Sequence, residues 1–425
     1  MANTSTSPDS SAASLGLLSR RAAIFVFLAF AAAYFCSTLV RAITATLSPV
    51  LTQEFSLHAR DLGLLAGGYF LGFAATQLPL GTWLDRYGPK RVILCFLTLA
   101  VVACLAFSAA TSFTWLLIAR VLLGMGVSAC LMAPLTGYRR WFDAGTLLRA
   151  NSWMLMTGSL GMLASTLPVQ WLMPLTGWRP LFWILAVLIL VAMALIAWTV
   201  PRWTVAAPVP GADGSAPKPG SYAQVWRDRY FRKMTPLAFI NYGGVIAIQT
   251  LWAGPWMVKV AGYTALEAAT GLFWINAAML VTFWAWGLAN PWLAQHGWSA
   301  NRLITWGVPV SMLVLLVNIF GGSNTGWVGW ALFCMASSVM GLAQPAVGMA
   351  FPPALAGRAL SAYNLAIFAG VFVSQWGIGL AIDAFKALGL SEVASFQAAL
   401  GVFLCCCLAS YGYFLSVKTD PTPDN

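Results

Sequence analysis

The chain has 425 residues, of which 60% are hydrophobic and 8% charged, and it carries a formal net charge of +11. So few charged side chains cannot coat a globule of this length, so a water-soluble domain is excluded and the chain belongs in a bilayer. The net positive charge would suggest an acidic partner in a soluble protein, but its distribution gives it another meaning, and no nucleic-acid partner is expected.

A bilayer-crossing helix needs about 20 mostly apolar residues. Twelve such runs follow one another, centred near positions 34, 71, 101, 125, 161, 189, 246, 279, 311, 338, 370 and 404. Runs of that length predict helices, not the short alternating strands of a barrel. The predicted fold class is therefore an all-α membrane protein of twelve transmembrane helices. In chain order, residues 1–20, rich in Ser, Ala and Thr, read as a disordered cytoplasmic tail and 21–200 as a first six-helix bundle. Residues 201–233 read as a Pro-, Ala- and Gly-rich cytoplasmic linker that closes with WRDRYFRK. A second six-helix bundle spans 234–417 and a cytoplasmic tail 418–425. If twelve spans alternate from a cytoplasmic start, seventeen of the twenty-three Lys and Arg lie inside, and only Arg60, Arg179, Lys259 and Lys386 lie outside. That bias places both termini in the cytoplasm, with a bacterial-type inner membrane as the expected location. The eight cysteines show no metal or disulfide spacing and read as buried small hydrophobes.

The two halves share residues at an offset of 209, the distance from Gly88 to Gly297. Trp83 and Leu84 recur as Trp292 and Leu293; Arg149, Ala150 and Ser152 recur as Arg358, Ala359 and Ser361; Phe142 recurs as Phe351. Matches sharing one offset indicate duplication. Where the first copy has Asp85 and Arg86, the second has Ala294 and Gln295.

Residues 81–91 read GTWLDRYGPKR, a charged, glycine-bracketed turn between two apolar runs. Gly81, Asp85, Arg86, Gly88, Lys90 and Arg91 fill every position of a pattern that resembles the signature loop of the major facilitator superfamily. Arg120, Gly124 and Gly126 in the fourth span resemble a second pattern of that family, Arg-x-x-x-Gly-x-Gly. The resemblance runs from about residue 20 to 418. It implies two six-helix bundles related about the membrane normal, with a small-molecule substrate held between them near midplane and moved by secondary active transport. It further implies that Gly81 lets span two pack tightly. Asp85 would meet the amino-terminal end of span eleven, near Arg358 and Ala359. With Arg86 and Arg139 or Arg140 this forms a cytoplasmic latch, and Arg120 serves in proton coupling.

Ionisable groups inside a membrane are costly, about 2.5 to 3.5 kcal/mol for a central Arg on insertion scales. Two cations need a reason, Arg41 in span one and Arg120 in span four. Tyr34, Thr38, Arg41 and Thr44 share a helical face. A guanidinium there suits a carboxylate or phosphate; the alternative is that Arg41 snorkels to the outer interface. Organic-anion members of the family place an Arg similarly, so the resemblance points to an anionic substrate. Polar candidates for the rest of the site are Tyr69 in span two, Tyr242, Gln249 and Trp252 in span seven, Gln344 in span ten, and Asn364 and Gln375 in span eleven. For each, the competing role is a hydrogen bond between helices.

No Asp or Glu sits squarely in mid-span, and His58 and His296 fall in loops. Efflux of cationic amphipathic compounds, which calls for a buried carboxylate, is therefore the second reading. Uptake of an organic anion by symport is the first. A non-transporting membrane sensor is a third, though no loop is long enough for a signalling domain. No catalytic constellation, nucleotide-binding loop, metal site or cofactor is expected, and the expected state is a monomer in the lipid bilayer.

Overall fold

A computed structural model describes residues 17–203 and 221–417. Residues 1–16 of the first tail, 204–220 of the linker and the whole tail 418–425 lie outside the described residues. Among those residues the chain is almost wholly helical and contains no strand. Helix α1 is Arg20–Phe55, followed by α2 Ala59–Ala75, α3 Gln77–Tyr87, α4 Pro89–Ala109, α5 Phe113–Val127, α6 Ala129–Trp141, α7 Ala144–Ala164, α8 Leu167–Thr176 and α9 Trp178–Thr199. A short α10, Tyr222–Arg227, leads into a rod, Arg229–Lys259, built from α11 Arg229–Leu237, α12 Gly243–Ala247 and α13 Ala253–Lys259. Two π-helical stretches, Ala238–Tyr242 and Ile248–Trp252, interrupt that rod. The remaining elements are α14 Ala265–Gln295, α15 Ala300–Gly321, α16 Trp327–Ser337, α17 Ala343–Met349, α18 Pro353–Ala387 and α19 Glu392–Ser416.

Ten of these rods are long and apolar enough to cross a membrane among the described residues, fewer than the twelve apolar runs of the sequence. The two that fall short are α2 with α3 and α7 with α8. Glycines that face other helices dilute α2, and Arg149, Asn151 and Ser152 dilute α7. Gly63, Gly67, Gly68 and Gly72 let α2 lie against α18 on one side and α5 on the other, with no room for a Cβ at Gly63 or Gly72. Gly158 and Gly161 do the same for α7 against α1, where a Cβ on Gly158 would stand 2.6 Å from Cε1 of Tyr34. Close approach by small residues replaces the hydrophobic drive that lipid cannot supply.

The breaks in these rods are tied together. Helices α2 and α3 part at Thr76, α5 and α6 part at Ser128, and the Thr76 hydroxyl donates to the Ser128 hydroxyl at 2.8 Å. Each hydroxyl also sits against its own helix, Thr76 on the carbonyl of Phe73 at 2.9 Å and Ser128 on that of Met125 at 2.8 Å. Backbone groups freed at a kink are thus satisfied without water.

The 209-residue offset pairs rod with rod, α1 with Arg229–Lys259 and α4 with α15 among them. It also pairs a backbone conformation: Gly88 after α3 has φ 78° and Gly297 after α14 has φ 74°, a region that favours glycine. Buried apolar side chains gather into two cores. One draws on residues from Ala23 to Val200 with Ala247 and Val371, the other on residues from Val225 to Phe414 with Ala45, Leu62 and Ala66. The exchanged residues mark where α1 and α2 meet the π-containing rod and α18. Of the cysteines, Cys36, Cys104, Cys130, Cys334 and Cys407 are buried, whereas Cys95, Cys405 and Cys406 are exposed. The expectation of burial fails for those three because an apolar position in a span can as readily face lipid as protein.

A cationic, aromatic-lined site between the two cores

Arg120 is fully buried, and the carbonyl oxygens of the facing turn of α1 partner it. Its Nη1 donates to the carbonyl of Val40 at 2.9 Å and its Nη2 to that of Arg41 at 3.2 Å. Its Cζ lies 5.0 Å from the centre of the Tyr69 ring. Two glycines make this reach possible. Gly124 sets α5 on the backbone of Tyr69 in α2, and Gly126 sets it on the backbone of Ala100 in α4, with no room for a side chain at either. The pattern Arg120, Gly124, Gly126 therefore joins α5 to three helices at once.

The same arrangement orients Arg41. Its guanidinium carbon lies 5.6 Å from the ring of Phe73 on α2 and 5.8 Å from that of Phe368 on α18, and those rings are 4.4 Å apart. The phenols of Tyr69, Tyr34 and Tyr242 surround its charge, with Tyr69 in hydrogen-bonding reach. Tyr69 in turn donates its own hydroxyl hydrogen to the carbonyl of Ser37 at 3.3 Å, which leaves its oxygen toward the guanidinium. The buried Nε of Arg41 has no partner, and no acidic side chain is among the groups acting on it. Arg41 is thus a partly buried cation flanked by rings from both halves of the chain.

The other candidates divide. Tyr34, Tyr69 and Tyr242 join Arg41. Thr38 does not: its hydroxyl turns back to the carbonyls of Tyr34 and Phe35, at 3.2 and 3.1 Å, and Gly161 of α7 covers it. Gln249 donates to Asn276 at 3.0 Å. Gln375 donates through its side-chain amide to Thr250 at 3.1 Å, and its main-chain carbonyl accepts from the indole of Trp252 at 3.1 Å. Gln344 donates to Asn364 at 2.9 Å as a separate pair. Phe73 and Phe368 were not singled out as site residues from sequence; Phe368 sits one turn beyond Asn364 on the same face, the one signal that pointed to it.

At the other end of α2 and α3 the charged turn differs from expectation. Asp85 is partly desolvated beside the neighbouring helices, and Arg358 followed by Arg139 are the cations that act on it. Burial pushes its carboxyl above the ordinary range, against the pull of those two arginines. Arg86 is not its partner, because it lies over the ring of its neighbour Tyr87 at 5.3 Å. Arg140 lies over Trp203 at 4.8 Å, and Arg91 is exposed. Nor does Gly81 pack tightly here: a Cβ added to it would lie 3.9 Å from the Ser361 hydroxyl, an ordinary contact. Gly88 is the crowded glycine, pressed on Trp203, and Lys90 donates to the carbonyl of Val200 at 2.7 Å. The turn is thus bound to the segment after α9 within its own half, while Asp85 and Gly81 face Arg358 and Ser361 of α18.

These features define a polytopic helical membrane protein with two arginines inside its described spans, Arg120 fully buried on main-chain carbonyls and Arg41 partly buried among aromatic rings. Residues 30–375 match the sequence profile of the Major Facilitator Superfamily, and the chain belongs to that family. It is 23% identical to the probable sulfoacetate transporter SauU of Cupriavidus necator over 56% of this chain and 57% of that one. It is 31% identical to the methyl viologen resistance protein SmvA of Salmonella typhimurium over 36% of this chain and 32% of that one. The chain thus spans little more than half of the first relative and a third of the second. The crystal structure of a bacterial homolog of the human lysosomal transporter Spinster matches the fold with a TM-score of 0.76 at 15% identity, covering 95% of this chain and 100% of that one.

Proposed function

We propose that the protein is a secondary active transporter that moves a small organic anion by alternating access, with uptake by symport favoured over efflux. It acts as a monomer in a bacterial inner membrane, with both termini cytoplasmic and the two six-helix bundles moving about the site. The observation that carries this reading is Arg41, a guanidinium with no acidic partner among the described residues, held among rings contributed by both halves of the chain. A lone cation in a poorly solvated site favours a counter-ion, and hydrogen bonds to a charged group are worth about 1.5 to 3 kcal/mol each. Alternating access draws support from unequal contacts between α2–α3 and α18: glycines press backbone to backbone at the Gly63 end, while the Gly81 end has space.

Likeness to a methyl viologen resistance protein favours a second reading, export of amphipathic cations. No carboxylate acts on the Arg41 site to receive such a cation. A thermal-shift screen of purified protein with carboxylates, phosphates and hydrophobic cations, repeated on Arg41→Ala, separates the two. Stabilisation by anions that disappears in the variant is the expected result. Stabilisation by cations alone, indifferent to Arg41, overturns the anion reading.

A further inference from the structure

The described end of the linker joins one half of the chain to the other. Helix α10 starts with a capping box: the Ser221 hydroxyl accepts from the backbone N–H of Ala223 at 3.1 Å, and the Gln224 side chain accepts from that of Ser221 at 3.1 Å. Val225 and Phe231 are fully buried in the second core, the Trp226 ring lies 5.1 Å from that of Phe231, and Asp228 accepts from the Phe231 N–H at 2.8 Å. The segment is therefore fixed to the second half. Tyr222 at its start packs on that core too, yet its hydroxyl donates to the main-chain carbonyl of Leu78 on α3, in the first half, at 3.2 Å. With its one hydrogen committed there, the phenol oxygen accepts, and the Ser361 hydroxyl of α18 is in hydrogen-bonding reach. The guanidinium carbon of Arg358, one turn before Ser361, stands 6.0 Å from the Tyr222 ring.

These partners lie on two facing stripes. Leu78, Gly81 and Asp85 recur at helical spacing on α3, as Arg358 and Ser361 do on α18. Gly81 faces Ser361 across an ordinary contact, and Asp85 faces Arg358. Tyr222 stands at that crossing with a bond to each side.

We infer that Tyr222 is a pin that fixes the separation of α3 and α18 at the Gly81 end, so that the end of the linker sets the balance between the two conformations. This rests on the alternating-access reading above. A rocking motion that changes the gap at Gly81 moves Leu78 relative to Ser361, and one phenol oxygen cannot follow both. The bonds are made in the state whose Gly63 end is pressed together. They therefore stabilise that state, and removing them favours the one in which the Gly63 end parts.

The test is the rate at which a charged maleimide labels Leu62→Cys in the purified protein, read by mass spectrometry of the peptide that carries it. Leu62 is buried beside Gly63 among side chains of the second core, so it is reached when that end parts. Tyr222→Phe keeps the ring and removes the hydroxyl, and Ser361→Ala removes the partner on α18. Each should label about two- to tenfold faster than the parent, the population shift that one net hydrogen bond supplies. A second arm closes a disulfide between Gly81→Cys and Ser361→Cys, which should slow labelling and erase the effect of Tyr222→Phe. Labelling at the parent's rate in either Tyr222→Phe or Ser361→Ala overturns the pin; if the disulfide still slows labelling, alternation stands without it. A disulfide that leaves the rate unchanged shows that the two ends do not move together, and the alternating-access reading then fails along with this inference.

Discussion

The carboxylate of Asp383 on α18 accepts hydrogen bonds from the backbone N–H groups of Ala59 and Arg60, at 3.2 and 2.9 Å, at the start of α2. The first residues of a helix have N–H groups without intrahelical partners, and here the cap comes from the opposite half of the chain. Gly379, one turn before Asp383, presses on the same two residues. Asp61 meanwhile accepts from the backbone N–H of His58 at 3.0 Å, so two carboxylates serve one helix end. A cap is worth about 0.5 to 2 kcal/mol, enough to bias two conformations that differ by a few kcal/mol. Asp383→Ala should therefore raise the labelling of a cysteine placed at the buried Leu62 by a membrane-impermeant reagent, with little change in expression. Equal labelling in parent and variant rejects the cap as a latch.

The two ends of the α2–α3 contact with α18 should respond differently to one added methyl group. At Gly63 a Cβ runs into the carbonyl of Gln375, while at Gly81 it meets only the Ser361 hydroxyl at 3.9 Å. Overpacking costs about 1 to 3 kcal/mol. Gly63→Ala should lower the melting temperature or shift the conformation, and Gly81→Ala should do neither. Similar melting curves for the two variants contradict this account.

Gly88 has two independent reasons to be glycine, a φ of 78° and the Trp203 side chain against it. Its ψ of 161° puts it in a region essentially confined to glycine, where a residue with a Cβ loses about 1 to 3 kcal/mol. Gly88→Ala should destabilise the protein, and combining it with Trp203→Gly, which removes the Cβ that Gly88 faces, should recover only the crowding part. Full recovery in the double variant would mean that the backbone conformation costs nothing.

Burial raises the Asp85 carboxyl above the ordinary range, with Arg358 and then Arg139 opposing the shift. A raised value in the folded protein means that folding favours the protonated form, so stability is greatest at low pH and declines as pH rises through the raised value. Asp85→Asn should then melt no lower than the parent at neutral pH, and any gain should shrink as pH falls below the carboxylate range. Transport by the same variant should be slower while ligand binding persists, because the carboxylate facing Arg358 is gone. A variant that melts lower at neutral pH, or one with unaltered transport rate, argues against this role.

Arg120 acts on the site through the main chain of α1, so Arg120→Lys should weaken anion binding without removing it. A lysine cannot give two planar donors to the carbonyls of Val40 and Arg41. The expected signature is a raised KM in vesicle uptake with substrate saturation retained, whereas Arg41→Ala abolishes saturable uptake. An Arg120→Lys variant with the parent's KM shows that the two carbonyl bonds do not set the position of Arg41.

Sequence by itself determined the class of the chain. Long apolar runs leave backbone polar groups no partners but one another, so helices follow, and the rarity of charge inside those runs singles out Arg41 and Arg120. The constant offset from Gly88 to Gly297 disclosed the duplication because a turn that needs a positive φ keeps its glycine in both copies. Tertiary structure decided which polar groups remain available. Periodicity put Thr38 and Arg41 on one face, yet only packing against Gly161 sends the Thr38 hydroxyl back to its own helix and leaves the guanidinium among rings. Nor can spacing along one chain reveal that Asp383 caps α2, that Phe73 and Phe368 flank Arg41, or that Arg120 is spent on carbonyls of α1. Those are contacts between residues tens to hundreds of positions apart, fixed by how closely the glycine-bearing helices approach.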